Sequence, residues 1–236
     1  MKPKVFQRFW AEDIGLTGLM VILFVETFAI YPFVDSDVGS LVMHFVFIIV
    51  LITGVMAVSR TPHWARLIAF IAVIGLGFRY WGHVYPHSTL LIANLSIRAV
   101  LASMLIAVIL MHVFRKSGPI THHRIAGSIA VYLLIGALFG YLYFIVCILD
   151  PGAFNLDIST LKDDPHKLMA RLVYFSYITM TSVGFGDVTP ISPVACTLSM
   201  AQALIGQLFP AILLARLVSL EIEDSHKRRK TQETDE

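Results

Sequence analysis

Residues 179–190 read TMTSVGFGDVTP. Gly184 and Gly186 alternate with Val183 and Phe185, after the hydroxyl residues Thr179, Thr181 and Ser182 and before the acid Asp187. The surroundings are very different. Of 236 residues 57% are hydrophobic and only 14% are charged, where a soluble domain carries roughly 25% charged residues. A short backbone-rich stretch near the end of such a chain needs a physical reason.

A bilayer core about 30 Å thick takes about 20 apolar residues per helix. Six runs qualify: Ile14–Val34, Val38–Val58, Trp64–Val84, Leu90–Phe114, Ile125–Leu149 and Ile191–Leu220. The first is too long for a signal peptide and no small-residue cleavage site follows it, so it reads as a retained span. Basic residues cluster at Lys2/Lys4/Arg8, Arg60/Arg66, Arg115/Lys116/Arg124 and Lys227–Lys230. The alternate loops carry Asp35/Asp37, no Lys or Arg around Pro86, and then Asp150/Asp157/Asp163/Asp164. The positive-inside rule then predicts both termini on the cytoplasmic side of a plasma membrane protein. The expected fold is all-α, with six transmembrane helices.

The runs fall into two groups. After a cytoplasmic segment (1–13), residues 14–114 form a four-helix unit. The linker 115–124, with Gly118 and Pro119 as breakers, leads to a second unit at 125–220, followed by a cytoplasmic tail at 221–236. The last two spans are about forty residues apart, far beyond an ordinary turn. That interval holds a half-length apolar run, 167–181, which as a helix covers only about 22 Å. Such a helix cannot cross and return. It reads as re-entrant, and non-helical chain at that depth is tolerated only when buried in protein or lining water.

The segment 182–187 is that non-helical chain. Glycine takes positive φ without steric cost, so Gly184 and Gly186 can turn successive carbonyls toward one axis. A ring of such oxygens can replace the water around a cation. Ser182 adds a hydroxyl at the inner end, and Asp187 places negative charge at the outer mouth. One strand makes no ring, so several chains must meet around an axis.

The stretch TMTSVGFGD resembles the filter signature of potassium channels, Thr-x-Thr-Thr-Val-Gly-Tyr-Gly-Asp. The likeness extends upstream through LVYFSYIT and downstream through DVTP and the last run, over Arg124–Leu220. It implies a homotetramer that passes potassium through filter oxygens of Ser182, Val183, Gly184, Phe185 and Gly186. It also implies an outer helix, a pore helix at 167–181, the filter at 182–187 and an inner helix at 191–220. Tyr174, Thr179 and Thr181 are expected to support the filter. Two positions depart from the family pattern. Ser182 stands for the commoner Thr and lacks its methyl, and Phe185 stands for the commoner Tyr and lacks its phenol. A weakly selective monovalent cation channel is the alternative reading, and a membrane-embedded enzyme or binding protein with an incidental glycine loop is the rival from another class. Where some members carry an acid, this chain has Ile178, so Tyr174 either hydrogen-bonds Asp187 or simply packs.

Six spans suggest a voltage sensor, but the fourth run has a single internal arginine, Arg98. One charge crossing the full field is worth about 2.3 kcal/mol per 100 mV, so four copies give at most about 9 kcal/mol. Steep voltage gating is not expected. At 1.5 Å per residue, Glu26, Arg79 and Arg98 fall at about the same membrane depth. Glu26 is therefore expected to pair with Arg98, Arg79 or both, as a structural ion pair or a residual gating element.

His83 and His87 flank Pro86, and His122/His123 lie in the linker. Neither pair repeats as a metal-dependent membrane enzyme would require, so neither enzymatic activity nor a cofactor beyond permeant potassium is expected. Cys147 and Cys196, near the outer ends of the fifth and sixth spans, read as two buried apolar thiols, with a disulfide between them as the alternative. The N-terminal segment suits the inner membrane surface. Lys227–Lys230 suits anionic lipid or a solvated flank, and nucleic acid is not an expected partner. The tail is too short for a ligand-binding domain. Gly206 and Pro210 are gating-hinge candidates, although Gly206 serves equally for close helix packing.

Overall fold

The computed structural model describes residues 3–29, 49–50, 52–54, 62–84, 88–114, 122–156 and 165–235. These are helical apart from turns, with one isolated β-bridge between Phe154 and Pro190. The helices are α1 (Pro3–Ala29), α2 (Pro62–Val84), α3 (Ser88–Val113), α4 (His122–Leu149), α5 (Pro165–Met180) and α6 (Pro193–Asp235). Proline opens α2, α5 and α6, where its fixed φ suits the first helical position and its missing N–H costs nothing. Ser192 caps α6, its hydroxyl accepting from the Ala195 N–H at 3.2 Å.

Among the described residues, three helices are long and apolar enough to cross a membrane: Thr89–Met111, His123–Leu149 and Pro193–Arg216. Gly15–Phe28 and Arg66–Gly75 are shorter apolar helices. Most of the second run, Val38–Val58, lies outside the described residues, as does the Arg79 side chain. Glu26 on α1 and Arg98 on α3 are both half-buried and both engaged in interactions. The pairing proposed for them remains a proposal. α1 is one helix from Pro3, taking in the N-terminal segment, and α6 runs on through the charged tail. Beyond Pro210 the sequence contains no Gly or Pro. Glu223 and Asp224 precede Lys227 and Arg228 by four residues, the spacing that supports a solvated helix.

α4 is the hub. α1, α3, α5 and α6 all pack against it, while α2 packs on α3. In its apolar window 61% is buried, against 17% for α6, so α6 is the helix its own chain leaves uncovered. The approach of α5 to α4 depends on Gly136 and Gly140, one turn apart. A Cβ on Gly136 would lie 2.7 Å from Tyr177 Cζ, and one on Gly140 2.8 Å from Val173 Cγ2. Small residues at this spacing let helix backbones come close where lipid offers no hydrophobic drive between helices.

That closeness permits a chain of three buried hydrogen bonds. The Tyr143 hydroxyl donates to Gln202 Oε1 at 2.6 Å. Gln202 Nε2 donates to Ser176 Oγ at 2.6 Å, and the Ser176 hydroxyl donates to the Gly136 carbonyl at 2.6 Å. Tyr143, Ser176 and Gln202 are all fully buried, and α4, α5 and α6 meet there. Above this joint, the rings of Tyr143, Phe154 and Phe175 meet edge to face with centroids 5.1–5.5 Å apart. Tyr177 reaches past Gly136 and donates to the Leu133 carbonyl at 2.8 Å, with its oxygen 3.2 Å from Thr27 Oγ1 of α1.

Two substitutions test this packing. Gly136→Ala forces a methyl into the Tyr177 ring and should cost about 1–3 kcal/mol, the usual range for overpacking, read as a lowered Tm in detergent. Gln202→Leu strands the Tyr143 hydroxyl and should cost about 1–3 kcal/mol. A double-mutant cycle with Ser176→Ala should show non-additivity, because the two side chains share one hydrogen bond.

Candidate functional site

The site is the non-helical segment between α5 and α6, held at both ends. At its α5 end the Ser182 N–H donates to the Thr179 carbonyl at 3.0 Å and the Val183 N–H to the Ile178 carbonyl at 3.0 Å. The Thr181 hydroxyl returns to the Tyr177 carbonyl at 2.8 Å. At its α6 end, the Asn155 N–H donates to the Thr189 carbonyl at 2.9 Å, and the Ile191 N–H to the Ala153 carbonyl at 2.7 Å. Phe154, fully buried between these two bonds, anchors the clamp. The polar loop after α4 gave no sequence signal for this role beyond one aromatic in a hydrophilic stretch.

Between the clamps the backbone alternates. Ser182, Gly184 and Gly186 have φ of 58°, 54° and 80°, while Val183 and Phe185 are not in the positive-φ region. Alternation of left-handed residues with residues of negative φ is the backbone pattern in which successive N–H groups can gather on one side. At Gly184 and Gly186 the conformation suits the residue type. At Ser182 the left-handed region is uncommon for a residue with a Cβ, and its appearance there was not foreseen from the sequence.

The segment lies open in the single chain. Residues 181–187 are all exposed, Phe185 at 71% and Val183 at 53%. Asp187 is among them, so its carboxylate stands at the surface; Tyr174 and Thr179 are half-buried on α5. Exposed apolar side chains continue along α6 at Met200, Leu204, Leu208, Ile212 and Leu214. The Gln207 side chain, also on α6, donates from Nε2 to Ser182 Oγ at 2.9 Å.

The two hinge candidates have distinct surroundings. A Cβ on Gly206 would collide with the Met180 carbonyl oxygen and lie 2.7 Å from Met180 Cγ, so Gly206 is the point of contact between α6 and the end of α5. Pro210 is exposed inside α6, and four residues after Gly206 it has no N–H to give that carbonyl. Cys147 and Cys196 are free thiols, the first buried and the second half-buried.

With this geometry in view, known proteins resemble one part of the chain. The ion channel family model matches residues 129–223. Protein LctB of Bacillus caldotenax is 33% identical over 87 residues, 37% of this chain and 64% of that protein. Protein LctB of Geobacillus stearothermophilus is 30% identical over 86 residues, 36% of this chain and 62% of that protein. Two pore potassium channel c of Oryza sativa subsp. japonica is 36% identical over 73 residues, 31% of this chain and 15% of that protein. The chain thus spans less than two thirds of the length of each of these relatives. No solved structure matches it. The matched region runs from the second turn of the helical hub α4, through the half-length helix and the alternating segment, into α6. Over residues 129–223 the chain is similar to the ion channel family.

Proposed function

We propose that this protein is a potassium-selective channel that conducts K+ passively across the plasma membrane through a pore shared by four copies. The observation that carries the reading is the alternation of left-handed residues at 182, 184 and 186 directly after a half-length helix. A row of backbone carbonyls is the ligand set suited to a dehydrated monovalent cation. Four chains supply a ring; in one chain the row and the apolar face of α6 stand uncovered, a large exposed patch of the kind that marks an interface. The carboxyl end of α5, which carries partial negative charge, lies beside Ser182 and favours a cation there.

The wider layout proposed is six spans with both termini cytoplasmic. A single intramembrane arginine in the fourth span predicts a shallow response to voltage. The chemistry requires neither a catalytic group nor a cofactor. Anionic lipid at Lys227–Lys230 and pairing of Glu26 with Arg98 or Arg79 belong to the same proposal. The likeness to a rice protein named as a potassium channel supports the choice of ion. Phe185, which lacks the phenol of the commoner family residue, is the feature that favours the weaker-selectivity alternative.

Purified protein in liposomes should release K+ down its gradient, and reversal potentials in mixed gradients should follow K+ rather than Na+. Equal dependence on the two ions would establish the weakly selective alternative, and absence of cation flux would remove the channel reading. Asp187→Asn should lower single-channel conductance about twofold at low ionic strength by removing negative charge at the mouth. That difference should vanish near 1 M salt, where the screening length falls to about 3 Å.

A further inference from the structure

The residue that departs most consequentially from the family pattern is Ser182, and the structure places a second side chain on it. We infer that Gln207 is a positioning residue for the innermost cation site, holding the Ser182 hydroxyl at the angle that site requires. The inference rests on the channel reading above and deepens it.

Three observations carry it. Ser182 is in the left-handed region at φ 58°, and its exposed side chain has no β-methyl to restrict χ1 as a threonine would. Gln207 Nε2 donates to Ser182 Oγ at 2.9 Å, a good N–H···O length. That bond occupies one lone pair and leaves the other for a cation. The contact exists because of its neighbour: Gly206 brings α6 against the Met180 carbonyl at the end of α5. The next residue on α6 is thereby within reach of the start of the alternating segment. Gln207 is itself exposed, so its amide is not there to fill a core. In the assembled pore the same strut would be repeated in each copy. The inner helix would then supply the restraint on χ1 that serine lacks.

The test is a double-mutant cycle read as permeability. Bi-ionic K+/Na+ reversal potentials are measured for the unaltered protein, Gln207→Met, Ser182→Thr and the double variant. Methionine keeps the length and removes the donor. Loss of one hydrogen bond predicts that Gln207→Met raises the sodium-to-potassium permeability ratio about fivefold. In the Ser182→Thr background, where a methyl already restrains the side chain, the same change should raise it less than about twofold. An unchanged ratio in Gln207→Met, or an equal rise in both backgrounds, overturns the inference and leaves the channel reading standing. If the unaltered protein itself fails to discriminate K+ from Na+, the reading falls and the inference falls with it. Should Gln207→Met carry no current, the shift in Tm produced by K+ relative to Na+ reports the same site at equilibrium. A preference for K+ equal to that of the unaltered protein then counts against the strut, and a diminished one supports it.

Discussion

The carboxamide of Gln202 joins three helices at one point, and the geometry around the alternating segment follows from it. It accepts from Tyr143 of α4 and donates to Ser176 of α5, and Ser176 passes the chain on to the Gly136 carbonyl. Gln202 and Ser176 each donate and accept in this series, the arrangement in which hydrogen bonds polarise and strengthen one another. A buried amide tolerates few alternatives, because any other arrangement of the helices strands a polar group away from water. The joint therefore does more than add stability; it selects one placement of α5. From that placement come the Gly206 contact below and the aromatic cluster of Tyr143, Phe154 and Phe175 above. The alternating segment is suspended between the two.

The hub helix α4 also ties the first part of the chain to the half-length helix α5. α1 packs on α4, and the Tyr177 hydroxyl bridges the Leu133 carbonyl of α4 and Thr27 of α1. A shift of α1 would be felt by the helix that ends at the alternating segment, without passing through α6. Glu26 is adjacent to Thr27 on α1, so an acidic residue lies one position from this bridge. α1 thus has a packed, hydrogen-bonded route to the helix that ends at the alternating segment.

Much of the architecture was legible because it depends on properties a residue carries with it. Apolar length, the half-length run before TMTSVGFGD and the charge counts are local quantities. Positive φ at Gly184 and Gly186 follows from residue type, since glycine alone is free of the Cβ clash. Gly206 was ambiguous for a physical reason: a glycine permits bending and close approach alike, and the choice rests on which atom lies opposite. Here it is a backbone carbonyl, which cannot move aside as a flexible side chain can. Most of the second apolar run and the Arg79 side chain fall outside the described residues.

The partners of Gln202 and Tyr143 had no sequence signal at all. They stand 26 and 59 residues apart along the chain, and a lone Gln, Ser or Tyr in an apolar helix has no periodicity by which to find its mate. Phe154 in a polar loop and the left-handed Ser182 were hidden in the same way. Their states are imposed by what packs around them and run against their own preference. Composition and spacing determined that a half-length helix and a glycine-bearing, non-helical segment lie between two long apolar helices. Folding alone settled which side chains hold that segment, because hydrogen-bond partners and steric contacts are set by distances in space, to which separation along a chain gives no key.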